Sequence, residues 1–325
     1  MNKFFFVFSL LITISLAGMA QPTIANGSVK DEQGNPVQYA FIREKPLTLA
    51  TFSDSLGNFK LNVYPNATLQ VNCKGYTGAG VNVAGNTNFD IVLKRLSGAA
   101  AADEVSGKTQ GSVSGGSTRS NQNFQFEVGA VFAPSNKGEA HGSQYFFDNW
   151  AHGFIIDTKD SLIENAEYLY NYDKMGGGLL FTKDGKSAMV ANSEQVKSFT
   201  LFSNSGETAV FEKVPAIDNT HYLQVLASGK KYKIYKLVTT QFVKSNYQTN
   251  GISSSGNNYD EYVNTGTYYV LTVAGNQVHP LSLKKKSIKE VFATDADKLN
   301  KFMSSHSSDI DDSYLSDLGD YLNKE

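Results

Sequence analysis

The chain has 325 residues, with 29 Lys plus Arg against 31 Asp plus Glu, a formal net charge of −2 and a single cysteine. No long basic block is present to follow a phosphate backbone, so nucleic acid is set aside as a partner. One cysteine excludes an intramolecular disulfide framework, so each folded unit must be held by its own core, and the length allows about two such units.

Met1-Asn2-Lys3 leads into an apolar run from Phe4 to Leu16, then Gly18-Met19-Ala20 before Gln21. A positive start, an apolar centre and small residues at a cleavage position read as a signal peptide over residues 1–20. A retained anchor is the alternative. The run is short of the roughly 20 residues a spanning helix needs, no second one follows, and no Cys adjoins the cleavage position. The expected product is an exported protein of the periplasm or outer-membrane periphery, with no transmembrane segment in the mature chain.

Residues 21–95 have a strand rhythm. Asp31-x-x-Gly34-x-Pro36 and Ser53-Asp54-x-x-Gly57 are turn signals, while Phe59, Leu61 and Val63, then Leu69, Val71 and Cys73, then Ile91 and Leu93 alternate as one buried face of each strand. About six or seven short strands so spaced predict a β-sandwich, with Cys73 as a small buried apolar group. The set Gly27-x-Val29-x-Asp31-x-x-Gly34-x-Pro36-Val37-x-x-Ala40-x-Ile42, Thr51-x-Ser53-Asp54-x-x-Gly57-x-Phe59-x-Leu61 and Leu69-x-Val71 with Gly75-Tyr76 resembles the carboxypeptidase regulatory-like domain, a transthyretin-like sandwich. The resemblance implies a non-catalytic accessory module of the kind that accompanies peptidases, adhesins and, in Bacteroidota, outer-membrane transporters.

Residues 96–122 are almost devoid of large apolar side chains and predict a flexible linker. A chain of that kind would let its two ends sit about 30 Å apart, giving units tethered rather than fused. Residues 123–286 alternate again at Phe124, Phe126 and Val128 and at Phe154 and Ile156, with breaks at Gly176-Gly177-Gly178, Asp184-Gly185, Asn204-Ser205-Gly206 and Gly275-Asn276. A second antiparallel β domain is expected. From residue 287 the spacing turns helical, with Ile288, Val291 and Phe292, then Leu299, Phe302 and Met303, then Leu315, Leu318, Tyr321 and Leu322, predicting a short helical tail over 287–325. This half resembles uncharacterised exported Bacteroidota proteins through "GSQYFFDNWAHGFI", the stretch from Tyr235 to Val263 and the ending "LSLKKKSIKEVF", and no activity comes with that likeness.

Catalytic patterns are thin. The histidines His141, His152, His221, His279 and His306 form no metal-binding spacing, and Gly-x-Ser-x-Gly is absent. Asp148, Asp157, Asp160, Asp260 and Glu261 lie near aromatics, as a glycosidase pair would, and read as surface charge. Asp309, Asp311 and Asp312 lack the rest of a calcium loop and read as helix N-terminal charge. No cofactor, metal or catalytic residue is assigned. The Asp-Ser-Leu triplets at Asp54 and Asp160 look like a Bacteroidota O-glycosylation motif.

The best contact candidate is the long connection of residues 244–262, rich in Tyr, Asn, Ser and Gly like an antibody binding loop, with Tyr247, Asn250, Tyr259 and Tyr262 singled out. Trp150, the only tryptophan, joins them as a possible anchor beside its reading as a core aromatic. Two functions follow as expectations. One is a non-enzymatic envelope accessory protein that binds a protein partner in the envelope or outer membrane. The other is a glycan-binding or carbohydrate-active exported protein using aromatic loops of the second domain.

Overall fold

A computed structural model describes residues 22–46, 49–96, 129–132, 140–249, 251 and 253–324. The expected signal peptide, most of the linker, Phe124, Phe126, Val128 and Asn250 lie outside the described residues. The fold is mainly β, with short helices at the C-terminal end.

The first unit comprises β1 (Thr23–Asp31), β2 (Phe41–Lys45), β3 (Ala50–Phe52), β4 (Asn58–Val63), β5 (Thr68–Asn72), β6 (Tyr76–Thr77), β7 (Ala79–Asn82) and β8 (Asn88–Arg95). They form two four-stranded sheets, β4-β1-β8-β6 and β3-β2-β5-β7. Strands β1 and β8 run parallel and the other neighbours antiparallel. Period-2 alternation sends Val29, Ile42, Phe59, Leu61, Val63, Leu69, Val71, Ile91 and Leu93 into the core between the sheets. Cys73 follows the end of β5 and packs half-buried against that core. Both turns read from the sequence use one device. The Asp31 carboxylate accepts from Gln33 N and Asn35 N, and that of Asp54 accepts from Leu56 N and Asn58 N. Gly57 is required in the second turn, because its φ is +78° and a Cβ there would lie 2.5 Å from the Val29 carbonyl oxygen.

The second unit comprises β9 (Gly129–Phe132), β10 (His152–Asp157), β11 (Leu162–Ile163), β12 (Leu169–Tyr172), β13 (Leu179–Thr182), β14 (Ala188–Val190), β15 (Val196–Phe202), β16 (Thr208–Glu212), β17 (Leu223–Ser228), β18 (Tyr232–Val243), β19 (Gln248–Thr249), β20 (Ser254–Ser255), β21 (Glu261–Thr272) and β22 (Gln277–Leu281). The helices are α1 (Lys285–Val291), α2 (Ala296–Ser305) and α3 (Asp312–Asn323). An eight-stranded sheet, β11-β10-β15-β16-β17-β18-β21-β22, is antiparallel throughout. Its register puts Phe199 and Phe211 on one face at the β10–β16 end, where they pack with Tyr170, Tyr172 and Phe181 of the smaller sheet β12-β13-β14-β9.

The same face at the other end carries the helices, with Tyr232, Ile234, Val270 and Leu281 under Ile288, Phe292, Leu299, Phe302, Leu315 and Leu318. The helical residues read from the sequence therefore supply the apolar stripe that covers the sheet. Asp311 caps α3 by accepting from Tyr314 N at 2.8 Å, in line with its reading as a helix N-terminal carboxylate.

The two units are in contact, contrary to the expectation of a mere tether. Phe41 and Phe52 point out of the first sandwich and meet Phe154 and Phe202 on the second face of the large sheet, with ring centroids 5.9 Å apart for Phe41–Phe154 and for Phe52–Phe202. Linker composition says only how far apart two units are free to move. The seam is made by the aromatic residues Phe41 of β2 and Phe52 of β3, and β2 carries apolar groups on both faces, with Ile42 in the core.

Candidate functional site

Strands β18 and β21 pair over twelve residues each, from Tyr232↔Thr272 to Val243↔Glu261. Their neighbours support only the base, with β17 reaching Lys236 and β22 reaching Tyr268. From Leu237↔Thr267 onward the hairpin runs past both neighbouring strands, an extension of about 23 Å at roughly 3.3 Å per residue. One face of this arm holds the buried Val238 and Thr240, while Gln241, Val243, Val263, Thr265 and Thr267 are exposed on the other. At the base, α3 grips the directly opposed pair Lys236 and Tyr268 through a single carboxylate. Asp312 Oδ2 takes Lys236 Nζ at 2.5 Å, and its Oδ1 accepts from Tyr268 Oη at 2.7 Å. Burial first, and the Asp312 carboxylate second, push the Tyr268 phenol pKa upward, so it donates at any ordinary pH.

The loop beyond the arm is built as a closed hairpin. Asn246 N donates to Asn257 O, Asn246 Oδ1 accepts from Asn257 N at 2.8 Å, and the Asp260 carboxylate accepts from Ser245 N at 2.7 Å. Tyr247 stands 51% exposed beside the short β19–β20 ladder. Tyr259 stacks on His141, centroids 3.8 Å apart, and Tyr262 donates its N–H to the His141 carbonyl while its ring packs on Phe242. Tyr259 and Tyr262 are thus gathered at His141, which anchors the return strand, and Tyr247 is the tyrosine left free at the tip. Trp150 belongs elsewhere. Its indole Nε1 donates to Gly185 O at 3.2 Å, in the β13–β14 turn, and it is half-buried rather than a core residue.

Several of the other groups considered from the sequence have structural partners. Asp157 accepts from Lys159 N and Ser161 N, Asp160 pairs with Lys197, and Glu261 accepts from Asn257 Nδ2. His221 meets the Asp218 carboxylate, and His306 stacks on Phe302. Among the described residues no group of three or more His, Cys, Asp or Glu is placed to hold a metal ion, and no helix is long and apolar enough to cross a membrane.

The seam brings together three titratable groups, of which Glu164 was not singled out from the sequence. His152 stacks on Tyr39 at 4.4 Å, and burial lowers its pKa. Burial pushes the Glu164 carboxyl up to about 7, and burial together with the Glu164 charge pushes the Cys73 thiol up to about 11. Sequence reading also passed over Val243 and Val263, whose signal was the alternation Val263-x-Thr265-x-Thr267 facing Gln241 and Val243. Comparison with protein-family models, with curated proteins and with solved structures returns no match.

Proposed function

We propose that this is a non-enzymatic accessory protein of the cell envelope that acts by binding a protein partner through the β18–β21 arm. The observation that carries the reading is the arm itself. It is a long ladder clamped at its base by α3, with Val243 and Val263 each 41% exposed and Tyr247 at the tip 51% exposed. Val243 and Val263 lie on the same face of the arm, and a tyrosine at the end of a hairpin is a low-entropy anchor.

Co-purification from native membranes tests the reading. The unaltered chain is expected to bring down a discrete envelope protein, and the double variant Tyr247→Ala, Val263→Ser to lose it while keeping its melting temperature. Equal recovery with both proteins, or a solitary chain after crosslinking, would contradict the proposal.

A further inference from the structure

His152 opens β10 and stands in the seam between the two units, where its ring lies against two rings of the first sandwich. It stacks on Tyr39, with centroids 4.4 Å apart and planes 21° from parallel, and it meets Phe52 at 5.8 Å and 42°. Phe52 in turn packs on Phe202, the residue paired with His152 across β10 and β15. The imidazole is thus a working part of the aromatic cluster that docks one unit on the other. Its nitrogens have no hydrogen-bond or ion-pair partner among the described residues.

A neutral imidazole suits that place and an imidazolium does not. Charging the ring adds a second N–H donor and a full charge where Tyr39 and Phe52 keep water off, so hydration is lost without a replacement. Attraction of the cation to the Tyr39 face recovers only part of that cost. A carboxylate beside the ring would recover more. The titratable groups on the elements around His152 are Tyr39, Asp54 after β3, Glu164 after β11, Tyr170 on the strand bridged to Ala151, and Glu207 in the turn after β15. Asp54 is engaged by Leu56 N and Asn58 N of its own turn, Glu207 is exposed, and Glu164 is itself neutral up to about pH 7. None of the five makes a hydrogen bond or ion pair with His152. Burial accordingly holds the His152 pKa below the usual 6.5.

We propose that His152 makes the seam an acid-sensitive latch, which keeps the two units docked while its ring is neutral and lets them part when the ring is protonated. The latch is separate from the arm, and neither reading depends on the other. Its sign follows from linkage. The parted state takes up the proton more readily than the docked one, so docking is at full strength above the ordinary histidine value of 6.5. Below it the docking constant falls by up to about tenfold per pH unit, until the docked ring is protonated as well. Glu164 acts in the opposite sense, since acid keeps it neutral.

Two measurements on the full chain test the latch. Spin labels at Leu56→Cys and Met175→Cys, exposed positions on the two units, in a Cys73→Ser background, read the separation. The distance is expected to lengthen and broaden between pH 7.5 and pH 5. His152→Phe, which keeps a ring but cannot take a proton, should hold the docked distance at both, and Glu164→Gln should keep the acid response. Titration of the His152 ring by NMR supplies a readout that does not need a substitution at 152. Its pKa is expected below 6.5 in the parent, and close to 6.5 when Phe41→Ala with Phe154→Ala removes two seam rings, neither of which stacks on His152. The proposal is overturned if the parent distance is the same at both pH values, if His152→Phe opens in acid as the parent does, if the His152 pKa stays put once the label distance shows the seam open, or if acid unfolds the whole chain instead of parting its units.

Discussion

Gly319 offers a sharp test of how the C-terminal helix sets the base of the arm. It lies within α3, where glycine costs roughly 1 kcal/mol relative to alanine, so helix propensity alone says that Gly319→Ala should stabilise. Packing says the opposite. A Cβ at 319 would lie 2.3 Å from Ala227 Cβ on β17 and 3.0 Å from Ile234 Cδ1 on β18, and the first contact is far inside van der Waals distance. Neither Ala227 nor Ile234 has room to retreat, since they are 4% and 0% exposed, so the helix must lift from the sheet. Overpacking of this kind costs about 1–3 kcal/mol, and more where a backbone must shift. The expected net effect of Gly319→Ala is a loss of about 1–2 kcal/mol in urea unfolding. Ala227→Gly should recover most of it, because it removes the opposing methyl. A Gly319→Ala protein as stable as the parent or more so, or a double variant with no recovery, would refute the close approach.

Three further outcomes follow from the geometry. Asn323 accepts from Lys231 N and Tyr232 N and donates to the Tyr232 and Gly319 carbonyls, so Asn323→Ala should cost about 2–3 kcal/mol and speed amide exchange at Lys231 and Tyr232. Phe154→Ala removes the ring that meets Phe41 across the seam and should weaken docking by about 2–3 kcal/mol. Spin labels on the two units, in a Cys73→Ser background, should then report a longer and broader distance. Glu164 is held neutral in the fold up to about pH 7 against a usual 4.5, so its contribution is full below about 4.5 and is lost as pH rises to about 7. That loss is about 3 kcal/mol for a dry group and about 1–2 for one that keeps part of its surface in water. Glu164→Gln should therefore flatten the stability profile between pH 5 and 8, which thermal unfolding at a series of pH values checks.

The sequence made the strands legible where alternation was clean. Leu69 and Val71 and the paired turns at Asp31 and Asp54 needed only period 2 and turn chemistry, and the helical stripe from Ile288 to Leu322 needed only period 3.6. The seam was not legible in that way. Phe41 next to Ile42 reads as one apolar run, and only the partner strands decide that Ile42 faces the core and Phe41 the second unit. Of the proposed contact residues, Tyr247 stands exposed, while Tyr259 and Tyr262 serve to close the loop on His141 and Trp150 sits at another turn. Composition marks a segment as tyrosine-rich, but which ring is free depends on the segment His141–Gly142, about 120 residues away in sequence.

Site-specific photo-crosslinking in producing cells tests the central claim most directly. A photoreactive residue in place of Tyr247 is expected to give one discrete adduct with an envelope protein, and the same residue in place of Leu56, 68% exposed on the first sandwich, to give none. No adduct at 247, or the same products at both positions, would contradict the arm as the contact surface.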